Sequence, residues 1–87
     1  GENDIRKIVQ KVAEDHKQRL HIKRTVTYVA DGKRYINIDC VFSGMVSLEG
    51  AHDLASKIEE RVKERFEETT VTVHMEPETH ERQTLRR

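Results

Sequence analysis

The chain has 87 residues, of which 34% are apolar and 37% charged, and its 16 basic and 16 acidic residues give a net charge of zero. These values predict one small domain with a limited core, and they argue against the strong positive field that attracts nucleic acid or an anionic membrane. Cys40 is the only cysteine, so the chain can form no internal disulfide, which suits a reducing compartment. No apolar run reaches the roughly 18 residues that span a membrane.

The first apolar residues recur at helical spacing, as Ile5, Ile8, Val9 and Val12. With Asn3 or Asp4 as the N-cap, this spacing predicts a helix over residues 4–18. The stretch that follows is rich in β-branched and aromatic residues on both sides of the turn sequence Asp31-Gly32, which predicts a β-hairpin.

The pairing register of this hairpin depends on its turn. A two-residue turn would pair Ala30 with Lys33 and would place the polar Thr25 and Thr27 beside isoleucines. A three-residue loop, with Gly32 in the left-handed conformation, instead aligns Val26 with Ile36 and Ile22 with Cys40. We favour the second register because it puts the apolar side chains on one face, namely Ile22, Val26, Tyr28, Ile36, Ile38, Cys40 and Phe42.

A second helix is predicted over residues 48–66. Ser47 is its N-cap, and Val46 and Ala51 form a hydrophobic staple. Its apolar stripe has three-to-four spacing and comprises Leu48, Ala51, Leu54, Ala55, Ile58, Val62 and Phe66. The alternating stretch VTVHME at 71–76 predicts a last strand that Pro77 ends, so the domain covers residues 1–77 and residues 78–87 form a polar, disordered tail.

The element order α-β-β-α-β predicts an α+β fold, a three-stranded sheet with both helices on its apolar face. The other face is left to water or to a partner. Its polar side chains converge there, from His21 and Lys23 through Asn37 and Asp39 to His74 and Glu76. Imidazole and carboxylate groups together suit zinc or a similar divalent ion. On spacing alone, a solvated polar face in which Lys23 pairs with Asp39 remains the alternative.

His52 lies one turn inside the second helix, where the helix dipole favours the neutral imidazole that can bind metal. A boundary histidine that hydrogen bonds to water is the alternative for this position. Cys40 points to the core in the favoured register, which makes it a small buried apolar residue rather than a ligand.

Three segments carry a family resemblance: LEGAHDLASKIEERVKERF at 48–66, VTVHMEP at 71–77 and YINIDCVF at 35–42. Together they resemble the C-terminal cytoplasmic domain of cation diffusion facilitator (cation efflux) transporters. The resemblance implies a metallochaperone-like, ferredoxin-like variant fold that pairs as a homodimer on the cytoplasmic side of the cell membrane. It also implies that the domain binds divalent cations, with zinc the first candidate, and biases transport by the same transporter's transmembrane domain, which this chain lacks. The fragment itself is expected to be soluble.

Residue by residue, the resemblance matches His52 to the family's helix-start histidine, His74 to its last-strand histidine and Glu76 to the acidic position that follows. Asp39 stands where several members have histidine, which makes the ligand set harder and lowers the expected selectivity for zinc. His21 lies near a further family histidine but is displaced by about three residues in our alignment. The expected metal ligands are therefore His52, His74, Asp39 and Glu76, with His21 as an additional candidate.

Three other functions are weighed against this one. A domain that dimerises without metal would have a similar sequence. A KH-like RNA-binding module shares the element order, but it needs a Gly-x-x-Gly loop and a basic groove that this chain lacks. We expect that the chain is not an enzyme, because no nucleophile is paired with a base and no glycine-rich phosphate loop is present.

Overall fold

The computed structural model of the protein describes residues 1–78. Its elements are α1 (Glu2–Asp15), β1 (Arg19–Ala30), β2 (Lys33–Ser43), α2 (Leu48–Arg65) and β3 (Thr69–Pro77), and this order confirms the predicted one. The predicted tail at 78–87 lies outside the described residues, except for Glu78. Within the described part, no helix is long and apolar enough to cross a membrane.

α1 ends three residues earlier than the spacing of its apolar residues predicts. Lys17, which was expected to be helical, has a φ of 55° and so lies in the left-handed region. A left-handed residue ends a helix, and here the Gln18 backbone N–H donates to the Ala13 carbonyl across the reversal. The chain therefore turns back into β1 directly after the helix.

β2 is the central strand of the sheet, antiparallel to β1 and parallel to β3. The parallel pairing needs a crossover connection, which α2 supplies. Both helices pack on one face of the sheet and bury a continuous apolar core, which includes Val9, Ile36, Ile38, Cys40, Leu54, Ile58, Val62, Val71 and Val73. This architecture confirms the predicted α+β fold with two helices on one side.

The hairpin register that we favoured is wrong near the turn and right near the start of β1. The turn contains only Asp31 and Gly32, both left-handed at φ 54° and 75°, as a type I′ turn requires, so Ala30 pairs with Lys33. The register then shifts between Ile22 and Arg24, and beyond this β-bulge Ile22 does pair with Cys40. The bulge resolves the conflict because one extra residue reverses which face the remaining side chains occupy.

Two residues that we placed in the core lie on the other face as a result. Val26 pairs with Asn37 and is 43% exposed, and Tyr28 is 46% exposed and stacks on Tyr35 with ring centroids 5.0 Å apart. Leu48, assigned to the apolar stripe of the second helix, is 90% exposed because it stands at the first position of α2, before the helix reaches the sheet.

Local contacts fix the start of α2 and the outer edge of β3. The Ser47 Oγ accepts a hydrogen bond of 2.9 Å from the Gly50 backbone N–H, which confirms the predicted N-cap. Glu59 on α2 accepts a hydrogen bond of 3.0 Å from the Val73 backbone N–H. Because Val73 lies on an edge strand, this carboxylate satisfies a donor that the sheet leaves unpaired.

Cys40 should be unreactive in the folded protein. Burial, together with the charge of the neighbouring Asp39, raises the pKa of its thiol from 9.0 to about 11. At pH 8 only about one thiol in a thousand is then ionised, and the thiolate is the reactive form. Labelling with a disulfide reagent should therefore be slow in buffer and fast in urea.

A Cys40→Ala, Val29→Cys double variant provides the matched control, because Val29 is 67% exposed on the same sheet. It should label rapidly without denaturant. Equal labelling rates for the folded parent and this variant would contradict the buried position of Cys40.

Candidate metal centre on the open sheet face

The open face is the side of the sheet that the helices do not cover. Strand alternation determines which side chains reach it: Ile38 and Cys40 are buried against the helices, so Asp39 between them points to the open face. In β3, His74 follows the buried Val73 and points the same way.

Asp39 and His74 are direct neighbours on this face. They occupy paired positions of β2 and β3, and neighbouring strands lie about 4.8 Å apart. Both side chains line a shallow pocket of about 360 Å³, whose other walls are Arg24, Val26 and Asn37. The structure therefore places two of the five predicted ligands, the Asp39 carboxylate and the His74 imidazole, next to each other.

Glu76 and His21 lie one row further along the open face. Both are cross-strand partners of Val41, Glu76 from β3 and His21 from β1, so the width of β2 separates them. They share the face with Asp39 and His74 without being direct strand partners of either. His21 is exposed, and its position on this face follows from the β-bulge in β1.

His52 stands apart from the other four residues. It is an exposed residue of α2, and α2 packs on the covered side of the sheet. Across residues 1–78, no three His, Cys, Asp or Glu side chains are grouped so that they could hold one metal ion. The five predicted ligands therefore do not form one site within a single chain.

Two basic side chains form ion pairs with the carboxylates of the open face. Arg24 donates to the Asp39 Oδ2 from Nη2 at 3.0 Å and from Nε at 3.3 Å, and the Lys23 Nζ lies 3.3 Å from the Glu76 Oε2. The predicted Lys23 to Asp39 pair is wrong, because the bulge places Arg24 opposite Asp39. The conflict between the two candidate registers was the sequence signal from which this bulge could have been inferred.

The donor chemistry of Asp39 and His74 fits a divalent metal ion. Carboxylate oxygen and imidazole nitrogen are both ordinary zinc ligands, and the pocket between them opens to solvent on the uncovered face. Two protein ligands are fewer than the four of a structural zinc site, so such an ion would need ligands from water or from a second chain.

The fold is similar to that of several solved protein structures. The chain is similar to the proposed zinc transporter CzrB, with 25% identity and a TM-score of 0.73 over 87% of this chain and 90% of that one. It is also similar to the metal-bound C-terminal domain of the CzcD transporter from Thermotoga maritima, with 28% identity and a TM-score of 0.61 over 87% and 90% of the two chains. The MamM C-terminal domain shares the fold at 10% identity and a TM-score of 0.66, over 90% of this chain and all of that one.

Among curated protein sequences, none matches this chain significantly. The sequence model of a protein family does match, over residues 2–78, which is nearly the whole described part. That family is described as the cytoplasmic domain of cation efflux proteins, and it agrees with the resemblance carried by the AHDL helix start and the VTVHMEP strand. The chain belongs to the cation efflux protein cytoplasmic domain family and is such a domain of a metal cation transporter.

Proposed function

We propose that this domain binds a divalent metal ion, zinc first, on its open face, and that it pairs as a homodimer whose metal-bound state biases transport by the attached membrane domain. The observation that carries the proposal is the side-by-side placement of Asp39 and His74 in register on an uncovered sheet face. The Zn form of CzrB and the metal-bound form of CzcD support it as relatives that have been solved with metal.

A homodimer would complete the ligand set. Each chain supplies one carboxylate and one imidazole at adjacent positions, so two chains that meet through their open faces would supply four ligands, the number in a tetrahedral zinc site. Glu76 and His21 on the same face, and His52 on α2, are further candidate ligands that a second chain could bring within reach. Residues 1–77 would act as the metal-sensing and dimerisation unit.

The mechanism follows from linkage. An ion that binds only one arrangement of the dimer stabilises that arrangement by RT ln(1 + [L]/Kd), which is about 2.7 kcal/mol at a free metal concentration one hundred times the Kd. Because imidazole must be neutral to bind, acidification should weaken this stabilisation. The metal concentration in the cytoplasm would thereby set the population of the state that favours transport.

The test is the thermal midpoint of the 87-residue chain, first with EDTA and then with Zn(II), Mn(II), Fe(II), Co(II), Ni(II) and Cd(II). A stabilisation of about 2.7 kcal/mol corresponds to a rise of roughly 10–20 °C for a domain of this size. Light scattering at the same protein concentration measures the mass in each condition. A saturable rise that depends on the metal supports the proposal, whereas no shift with any ion contradicts metal binding.

A metal-independent dimerisation module is the second candidate. It is favoured by the ion pairs of Asp39 and Glu76 with Arg24 and Lys23, which neutralise both carboxylates without metal. The same experiment separates the two functions, because this module would be a dimer in EDTA and would show no shift with any ion.

A further inference from the structure

The contact between Arg24 and Asp39 engages one of the two carboxylate oxygens that a metal ion could use. Both guanidinium donors converge on one oxygen, the Asp39 Oδ2, at 3.0 and 3.3 Å. The Asp39 side chain is 24% exposed and Arg24 is 66% exposed, so the arginine approaches the carboxylate from the solvent side. It also lines the pocket between Asp39 and His74, where a metal ion would sit.

The hairpin register brings this cation to the site. Between the turn and the bulge, Thr25 pairs with Ile38 on the covered side, so Arg24 must point to the open face opposite Asp39. The bulge leaves Lys23 without a strand partner, and its side chain reaches across β2 to Glu76. The strand therefore directs two adjacent cations onto the two carboxylates of the open face.

We propose that Arg24 is the residue that sets the metal affinity of the open face, because its guanidinium competes with the divalent ion for Asp39. This inference rests on the proposed metal site. In the metal-free domain the guanidinium neutralises the carboxylate. A divalent ion that binds Asp39 and His74 must displace this hydrogen-bonded cation or coexist with its positive charge.

The competition has a defined chemical consequence. Removing the arginine charge leaves Asp39 fully available and lowers the local positive potential, so a divalent ion should bind more tightly. An exposed ion pair is weak, and repulsion of a doubly charged ion adds to its effect, so the dissociation constant should fall about three- to tenfold. Because the groups face solvent, added salt should reduce this gain.

The experiment is calorimetric titration of the 87-residue chain with Zn(II), comparing the parent with Arg24→Gln and Arg24→Lys at one pH and one salt concentration. We expect Arg24→Gln to bind about three- to tenfold more tightly, and Arg24→Lys, which keeps the charge, to stay within about twofold of the parent. When the titration is repeated at higher salt, the Zn(II) dissociation constants of Arg24→Gln and the parent should differ less.

Arg34→Gln is the matched control for net charge. Arg34 alternates with Tyr35 along β2 and so lies on the side of the sheet that carries the helices, away from the pocket of Asp39 and His74. This variant loses the same charge and should keep the parental dissociation constant. An equal gain in Arg34→Gln and Arg24→Gln would overturn the inference, because a general charge effect would then explain both.

The outcomes separate this inference from the proposed function. If the parent binds Zn(II) and Arg24→Gln binds with the same or a weaker affinity, the metal site stands and the competition by Arg24 is wrong. Zn(II) binding by Arg24→Gln but not by the parent would support the inference in its strongest form. If neither variant nor the parent binds Zn(II), the proposed metal site fails and the inference fails with it.

Discussion

Replacing Ile38 with alanine should lower the free energy of unfolding by about 3–4 kcal/mol. Ile38 is fully buried in the central strand, between the helices and the flanking strands, so truncation removes apolar contacts and leaves a cavity that the neighbours fill only in part. A domain of this length has a total stability of roughly 4–13 kcal/mol, so the loss is a large share of it. Urea unfolding at a fixed protein concentration measures the change.

Val26→Ala is the control, because it separates the two hairpin registers. Val26 is 43% exposed on the open face, and its truncation should cost less than about 1 kcal/mol. In the three-residue-loop register the same valine would be a core residue, and the cost would approach that of Ile38→Ala. A large effect at Val26 would therefore contradict the two-residue turn and the bulge of the structure.

His74→Ala should remove most of the stabilisation by metal and leave the metal-free domain intact. The imidazole is exposed, so its loss in EDTA should change the free energy of unfolding by no more than about 0.5 kcal/mol. At free Zn(II) one hundred times the parental Kd, the parent should gain about 2.7 kcal/mol and the variant only a small fraction of it. The measurement is the thermal midpoint with and without Zn(II).

Thr72→Ala provides the matched comparison, since Thr72 is an exposed residue of the same strand and face, two positions before His74. It should retain the full response to Zn(II). Unfolding of His74→Ala in EDTA would make His74 a structural residue, and an unchanged Zn(II) response would remove it from the ligand set. Either result would require another centre for the metal site.

Most of the architecture could be predicted from local patterns. The spacing of Ile58 and Val62 specifies α2 and its buried face, and the alternation of Val71 and Val73 specifies β3 and its buried face, because helix and strand periods differ. The Ser47 cap marks where α2 begins. The order of these elements then leaves few ways to cover a three-stranded sheet, and both helices lie on one side, as predicted.

The hairpin is the part of the fold whose pairing the local sequence patterns did not predict correctly. The sequence Asp31-Gly32 allows a two-residue turn, whereas the apolar residues Ile22, Val26 and Tyr28 favoured a pairing shifted by one. The structure follows the two-residue turn up to Arg24 and the shifted pairing from Ile22 onwards, with one bulge between them, and leaves Val26 and Tyr28 on the open face. A bulge depends on packing against the helices at one end and on turn geometry at the other, so neither pattern alone predicts it.

The sequence by itself determined the elements, the covered and open faces of β2 and β3, and the family, because these depend on side-chain period and on short motifs. Only the tertiary structure decided that Asp39 lies directly beside His74 and that Arg24 rather than Lys23 binds Asp39. The physical reason is that neighbours in a sheet depend on register, and register is set jointly by the turn, the bulge and the packing of the helices.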